Sequence, residues 1–159
     1  GSDAALFGPE RLLDIYRRSI GHGANLLVNM TPDRRGLIPD VEVARLTGFG
    51  ADIRRLFGRP IAETRGEGLW GEGMTLDLEL GRTATVHAVL IEEDIRFGQR
   101  VRRHRLEARH HGAWKPLGEG LTLGRLRIAE WPAPVEADAV RLRVLETMPL
   151  PKIRSMAAV

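Results

Sequence analysis

Two stretches in the first third of the chain carry apolar residues at helical spacing. The first, Pro9–Ile20, places Leu12 and Tyr16 on one face and begins with proline, whose missing N–H costs nothing at a first helical position. The second, Val41–Phe57, repeats apolar residues every three or four positions and follows a residue that can cap a helix, Asp40. We therefore predict a helix over each stretch.

Between these helices the segment Ala24–Met30 has a different pattern. It is apolar on both faces except at Asn25 and Asn29, which is typical of a strand covered on both sides, as in a parallel sheet. One strand cannot form a sheet alone. The helix–strand–helix order of residues 1–58 therefore indicates the end of a βα-repeat fold whose other repeats this sequence does not contain.

The remainder of the chain alternates short apolar and polar runs that turn signals separate. The candidate strands are Thr75–Leu80, Thr83–Glu92, Arg100–His110, Trp114–Pro116, Leu121–Ala129, Ala139–Thr147 and Lys152–Ala157. Short strands at this spacing predict a mainly β fold, an antiparallel β-sandwich or jelly roll.

A change of composition separates the two parts. Residues 58–74 contain glycine at positions 58, 66, 68, 71 and 73 and a proline at position 60. Such a stretch is typical of a linker or an irregular crossing loop. We therefore divide the chain into residues 1–58, a helix–strand–helix unit, and residues 59–159, the sandwich.

Composition restricts the class of protein more than its function. Hydrophobic residues make up 43% and charged residues 28%, as in ordinary globular proteins, and the absence of cysteine excludes disulfides and thiolate chemistry. No apolar run approaches the roughly 20 residues that cross a bilayer, and the N-terminus shows no signal peptide. We expect a soluble protein without membrane contact, either cytoplasmic or exported with its leader removed.

Two longer segments resemble a known family of enzymes. The first, residues 19–39, reads SIGHGANLLVNMTPDRRGLIP, and the second, residues 92–101, reads EEDIRFGQRV. Further matches follow in the same order at Trp114, Leu121–Ile128 and residues 151–154. Together these segments resemble the last barrel strand and the C-terminal β-sandwich of the alpha-L-fucosidases of glycoside hydrolase family 29.

The resemblance implies both a fold and a role. It implies that residues 1–58 are the remnant of a (β/α)8-like barrel, and that the sandwich is galactose-binding-like and supports that barrel. The parent enzyme would hydrolyse terminal alpha-L-fucose from glycans with retention, without a cofactor. In the family the catalytic Asp and Glu lie upstream of the matched segments. No residue of this sequence therefore inherits a catalytic role, and the chain alone is expected to be inactive.

Three residues are candidates for contact with a sugar. Asn29 and Thr31 lie at or just past the C-terminal end of the predicted strand, followed by Asp33, and barrel enzymes place their chemistry at this end. The alternative is that these residues only form a turn. Trp70, in the glycine-rich linker, can contact the sugar or pack the sandwich against the barrel.

Other chemistries have weaker support in the sequence. The histidines, including His22 and the pair His110 and His111, do not follow a metal-ligand spacing, so we predict no metal site. Glu92, Glu93 and Asp94 lie next to arginines that can neutralise them. Strand 100–110 presents a row of arginines without interleaved aromatic residues, so we expect no nucleic-acid partner.

Two alternatives to the fucosidase interpretation remain open. The sandwich can be a non-catalytic carbohydrate-binding module, which would need exposed aromatic residues around a concave patch. Alternatively, a complementary chain can supply the missing barrel strands. In the family interpretation the partners are a fucosylated glycan, bound through the parent enzyme, and the remaining barrel.

Overall fold

The computed structural model describes residues 7–159. The N-terminal segment, in which the sequence predicts no signal peptide, begins outside them. Two α-helices precede a set of β-strands, with a short 3₁₀ helix at Ile95–Phe97. The elements are α1 (Pro9–Ser19), α2 (Asp40–Phe57), β1 (Ala62–Arg65), β2 (Thr75–Glu93), β3 (Val101–His110), β4 (Ala113–Gly120), β5 (Arg127–Thr147) and β6 (Ile153–Ala158).

The strands of the described residues form one antiparallel six-stranded sheet in the order β1-β6-β2-β5-β3-β4. The long strands β2 and β5 each have two different sets of neighbours. The first half of β2 and the second half of β5 pair with each other beside β3 and β4. The second half of β2 and the first half of β5 pair beside β6 and β1. The sheet therefore comprises two four-stranded layers joined through β2 and β5.

Irregular pairing bends the sheet where the two layers meet. Residues 80–83 of β2 lie opposite a single residue of β5, and residues 131–134 of β5 lie opposite a single residue of β2. Bulges of this kind bend a strand and increase its twist. Buried side chains of both layers, such as Leu106 and Val140 from one and Ile91 and Met156 from the other, share one hydrophobic core. The predicted antiparallel β-sandwich is thereby confirmed.

The helices pack against one another and against one layer of the sandwich. Tyr16 of α1 contacts Phe49 edge-on and stacks on Phe57 of α2, with ring centroids 6.1 and 6.0 Å away. Phe57 packs in turn with Ile128 of the sandwich. Beyond the end of α1, the backbone N–H of Ile128 donates a hydrogen bond to the Gly21 carbonyl over 3.0 Å. The two predicted helices are confirmed to within one residue at each end.

The strand predicted at Ala24–Met30 is wrong for this chain. These residues form neither helix nor strand, and the Leu27 side chain is 85% exposed. Strands of a parallel sheet depend on neighbouring strands for their hydrogen bonds, and residues 7–159 place no such neighbour beside this segment. The apolar pattern is therefore typical of a strand that other strands and helices cover, and residues 7–159 do not supply that cover.

Other boundaries also differ from the prediction. The glycine-rich stretch 58–74 contains the short strand β1, which pairs with β6. The predicted strands Thr75–Leu80 and Thr83–Glu92 are the two halves of β2, because the chain continues through the bend at Gly81. The predicted strand Leu121–Ala129 is wrong over residues 121–126, which form neither helix nor strand. Its last three residues belong, with Ala139–Thr147, to the single strand β5. Neither α1 nor α2 is long and apolar enough to cross a membrane.

Candidate functional site

The structure places Asn29 and Thr31 on an irregular exposed segment beside the start of α2. The backbone N–H of Thr31 donates to the carboxylate of Glu42 over 3.3 Å. Asn29 lines a shallow cavity of about 220 Å³ whose other walls are mainly apolar and include Leu12 and Leu46. Contact of Asn29 and Thr31 with a sugar stays a prediction, but both side chains are exposed as such contact requires.

Asp33 fixes the conformation of the loop that follows. Its carboxylate accepts hydrogen bonds from the backbone N–H groups of Arg35 (2.8 Å) and Leu37 (3.2 Å). It also pairs with the guanidinium of Arg35 at 2.7 Å, which lowers the pKa of the carboxyl. Because these partners occupy the carboxylate, Asp33 acts here as a turn residue.

Trp70 lies apart from this segment. Its side chain is only 7% exposed and belongs to the main core of the sandwich, with Leu78 and Ile153. Its backbone N–H donates to the Pro151 carbonyl over 2.9 Å. The structure therefore brings Asn29 and Thr31 together and places Trp70 in the sandwich core. A contact between Trp70 and a sugar stays a prediction, and burial leaves little of the ring available for it.

The helical part of the chain has an exposed apolar surface next to Asn29 and Thr31. We call it the N-terminal apolar surface and define it by side chains that are all exposed. They are Leu27, Val28, Leu37, Val41 and Val43. Exposed apolar side chains in such number are candidates for contact with a partner, because soluble proteins rarely expose large apolar patches.

The outer face of the sandwich carries a network of ion pairs where the sequence suggested a basic row. The guanidinium of Arg141 lies 3.9 Å from the ring centroid of Trp114, which is part of this face and not of the hydrophobic core. Four arginines of the face are paired with carboxylates. These pairs are Arg141–Asp77, Arg109–Glu79, Arg109–Asp138, Arg143–Glu107 and Arg105–Glu119.

The acidic triplet 92–94 has a structural role. Asp94 pairs with Arg96 at 2.6 Å, which lowers the pKa of Asp94 to about 2. Glu93 is 2% exposed and accepts hydrogen bonds from the backbone N–H groups of Arg100 (2.7 Å) and Val101 (3.0 Å). The Glu93 carboxylate therefore closes the loop between β2 and β3, a function that the sequence pattern did not reveal.

The histidines contribute no metal centre within residues 7–159, where no group of three or more His, Asp or Glu side chains could hold an ion. The His22 ring nitrogen Nδ1 lies 2.9 Å from the Arg17 carbonyl, at the end of α1. His104 is buried, and its Nδ1 lies 2.8 Å from the Leu121 carbonyl. Since a carbonyl oxygen only accepts, each Nδ1 carries the proton in these hydrogen bonds.

The sequence has relatives among plant proteins, although no protein-family model matches it. Alpha-L-fucosidase 1 of Arabidopsis thaliana is 26% identical over 84% of this chain, which corresponds to 33% of the plant protein.

Solved structures resemble the chain over almost its whole length. A "putative alpha-L-fucosidase" from Bacteroides thetaiotaomicron is 36% identical, with a TM-score of 0.89, over 98% of this chain and 35% of that one. A glycoside hydrolase family 29 fucosidase of Ruminococcus gnavus, solved in complex with fucose, is 26% identical, with a TM-score of 0.81, over 96% of this chain and 36% of that one. The chain thus spans about a third of the length of each of these three relatives.

Proposed function

We propose that this chain, whose homologues and structural neighbours are alpha-L-fucosidases of glycoside hydrolase family 29, works as the C-terminal segment of such an enzyme. The observation that carries the proposal is the extent of the match. The similarity covers 98% of this chain and 35% of the Bacteroides protein, with both the helical part and the sandwich included. A free-standing sandwich module would not need the helical part.

The reaction of the parent enzyme would be the hydrolysis of terminal alpha-L-fucose from a glycan, with retention. Retention requires two carboxyl groups about 5–5.5 Å apart across the scissile bond, one acting as nucleophile and the other as acid and base. In the proposed enzyme both groups belong to the upstream barrel. Asn29 and Thr31 contribute to the rim of the sugar site, and this chain supplies neither carboxyl group.

The role of the sandwich is to support the barrel through the helices. Phe57 of the helical part packs against Ile128 of the sandwich. The N-terminal apolar surface then receives the preceding barrel elements, from the same polypeptide or from a complementary chain. Such a contact would give the segment Ala24–Met30 the neighbouring strands that its apolar pattern requires.

An activity assay tests whether catalysis depends on the upstream barrel. We expect the purified chain, free of other polypeptides, to release no 4-nitrophenol from 4-nitrophenyl alpha-L-fucoside above the buffer rate. A purified alpha-L-fucosidase assayed in parallel is the control for the substrate. Turnover by the 159-residue chain alone at rates typical of enzymes would contradict the proposal.

Substitution of Trp70 separates this function from that of a carbohydrate-binding module. Because Trp70 is buried in the core, we expect Trp70→Ala to lower the free energy of unfolding by about 3–5 kcal/mol. Trp114→Ala, at a half-exposed ring on the outer face, is the matched control and should cost less. Denaturation in urea measures both. Loss of retention on immobilised fucosylated glycan, with stability unchanged, would favour the module.

A further inference from the structure

The sandwich has a cavity between its two layers, at one edge. One wall is the end of β4, at Gly118–Gly120, and the facing wall is the start of β5, residues 127–131. His104 of β3 lines the interior, and Arg17 and His22 from the end of α1 close one side. The cavity has a volume of about 290 Å³, enough for a small organic ligand. We call it the edge cavity; it is separate from the segment that carries Asn29 and Thr31.

Two hydrogen-bond donors on side chains that line the edge cavity are buried and have no acceptor in the described part of the chain. They are Nε of Arg127 and Nε1 of Trp131, both buried and both without a hydrogen-bond partner within residues 7–159. A buried donor without a partner costs about 1–3 kcal/mol, so native proteins rarely leave one unsatisfied. Two such donors on side chains of the same strand, four residues apart and both at one cavity, indicate that an acceptor-rich group belongs there.

The charges around the cavity also favour an anion. The two carboxylates in its walls are already neutralised, Glu130 by Arg17 at 2.7 Å and Glu119 by Arg105 at 2.5 Å. Arg127 takes part in none of the ion pairs among the described residues. Burial lowers the pKa of its guanidinium, but arginine stays protonated at neutral pH. One positive charge in the cavity is therefore left without a counter-charge.

His104 adds an acceptor to these donors. Because its Nδ1–H donates to the Leu121 carbonyl, its Nε2 carries a free lone pair. The β4 backbone passes close to the ring at Gly120, where a Cβ atom would lie 2.5 Å from Cε1 of the histidine. The cavity thus combines two donors, one uncompensated positive charge and one acceptor, which suits a ligand with an anionic oxygen group and a hydroxyl.

We propose that the edge cavity binds a small ligand carrying a carboxylate or phosphate group, held by the Arg127 guanidinium and the Trp131 indole N–H. The anionic oxygens accept from these two donors, and a hydroxyl of the ligand donates to Nε2 of His104. Sugar acids and phosphates both have this chemistry. The two donors and the acceptor all belong to strands of the sandwich.

Nuclear magnetic resonance of the whole chain, labelled with ¹⁵N, tests the site directly. The chain has three tryptophans, so three indole N–H signals are expected, and Trp131→Phe identifies the one at the cavity. Sodium glucuronate and sodium phosphate are titrated separately, with glucose and sodium chloride at matched ionic strength as controls. We expect a saturable shift of the Trp131 signal with at least one of the two anions, while the Trp114 signal stays in place.

Two variants check which residues hold the anion. Arg127→Gln should weaken binding at least about tenfold, because it removes a charged hydrogen bond. Arg125→Gln, at an exposed arginine two residues away, is the matched control and should change affinity less than twofold. If Arg127→Gln does not fold, Trp131→Phe keeps the test decisive, with binding followed through the backbone amide signals of β5 because this variant lacks the indole N–H. It retains an aromatic ring and should weaken binding about fivefold.

The outcomes separate the two classes of ligand. A shift with glucuronate alone identifies a carboxylate ligand, a shift with phosphate alone identifies a phosphate ligand, and shifts with both mean that only the anionic group is recognised. No saturable shift with either anion overturns the proposal. So does an equal shift with sodium chloride, or equal affinity in the Arg127 and Arg125 variants.

Discussion

The Glu93 carboxylate shows how a single side chain holds a loop in this sandwich. Burial raises its pKa, while the N–H groups of Arg100 and Val101 favour its charged form. Only Oε1 has hydrogen-bond partners, and Oε2 has none within the described part of the chain. The side chain is thus retained in the core for its two contacts with the backbone.

Substitutions at Glu93 should therefore differ in cost. Glu93→Ala removes both hydrogen bonds from a charged acceptor, and we expect a loss of about 2–3 kcal/mol in the free energy of unfolding. Glu93→Gln keeps the Oε1 acceptor and should lose less than half of that. Guanidinium denaturation of the three proteins measures the difference. Equal losses for Ala and Gln would contradict this role for the carboxylate.

His104 should make stability depend on pH. Burial lowers its pKa below the ordinary value of 6.5, so the folded chain keeps the ring neutral where the unfolded chain already binds a proton. The unfolded state then binds more protons below pH 6.5, and stability falls as pH falls through that value. We expect the slope between pH 7 and 5, measured by urea denaturation, to be smaller in His104→Phe. An unchanged slope would exclude His104 as its source.

At the residue scale, the sequence predicted which residues of a strand share a face better than it predicted which side chains they contact. His104, Leu106 and Ala108 are buried on one face of β3, as alternation predicts. Trp114 could lie in the core or on the outer face, and the structure places its ring against the Arg141 guanidinium on the outer face. The choice between the two environments depends on the register of β4 against β3 and β5, which the sequence of a single strand does not contain.

At the scale of the elements, the bend in β2 depends on Gly81. Its φ is +73°, a left-handed value that disfavours residues with a Cβ atom, and a Cβ there would have nothing within 4 Å. Backbone strain is therefore the only cost of adding a methyl group. This glycine turns β2 from one layer of the sandwich into the other.

Alanine substitution isolates that strain. We expect Gly81→Ala to lower the free energy of unfolding by about 1 kcal/mol. Gly118→Ala, at a glycine without a positive φ and with equally open space, should change it by less than about 0.5 kcal/mol. Urea denaturation compares the two variants. Equal losses of unfolding free energy in the two variants would mean that the left-handed φ at position 81 does not require a glycine.

The elements that the sequence predicted well are those whose partners lie within the chain. Both helices, the two halves of β2 and the second half of β5 follow from local periodicity and pack inside residues 7–159. The prediction of a strand at Ala24–Met30 was wrong because its apolar pattern requires neighbouring strands that residues 7–159 do not provide. The short strand β1 was missed because four residues, Ala62–Arg65, give too little alternation to detect among glycines.

At the scale of the whole molecule, the candidate sugar site was only partly predictable. Asn29 and Thr31 were identified through the resemblance of residues 19–39 to a family of enzymes, and both lie on the exposed segment beside α2. The edge cavity was not predicted, because it joins the end of α1, the strand β4 and the start of β5 across about a hundred residues of sequence. No short sequence motif includes residues that lie so far apart along the chain.

The N-terminal apolar surface makes a further prediction for the assembled enzyme. Leu27→Glu should leave the stability of the isolated chain within about 0.5 kcal/mol, because the side chain is exposed there. In an enzyme that contains the barrel, the same change should impair assembly, since it buries a charge at the contact. Leu121→Glu, at an exposed leucine of the sandwich, is the matched control. Equal effects of both changes in the assembled enzyme would exclude this surface as the contact.

A chimeric enzyme tests directly whether this chain can serve as the C-terminal segment of a fucosidase. In the Bacteroides thetaiotaomicron protein, the part that this chain matches is replaced by residues 7–159, and hydrolysis of 4-nitrophenyl alpha-L-fucoside is measured beside the intact protein and a truncation that lacks the part. We predict that the chimera hydrolyses the fucoside and that the truncation does not. A chimera that is soluble and folded but no more active than the truncation would contradict the assignment of this chain as the C-terminal segment of a fucosidase.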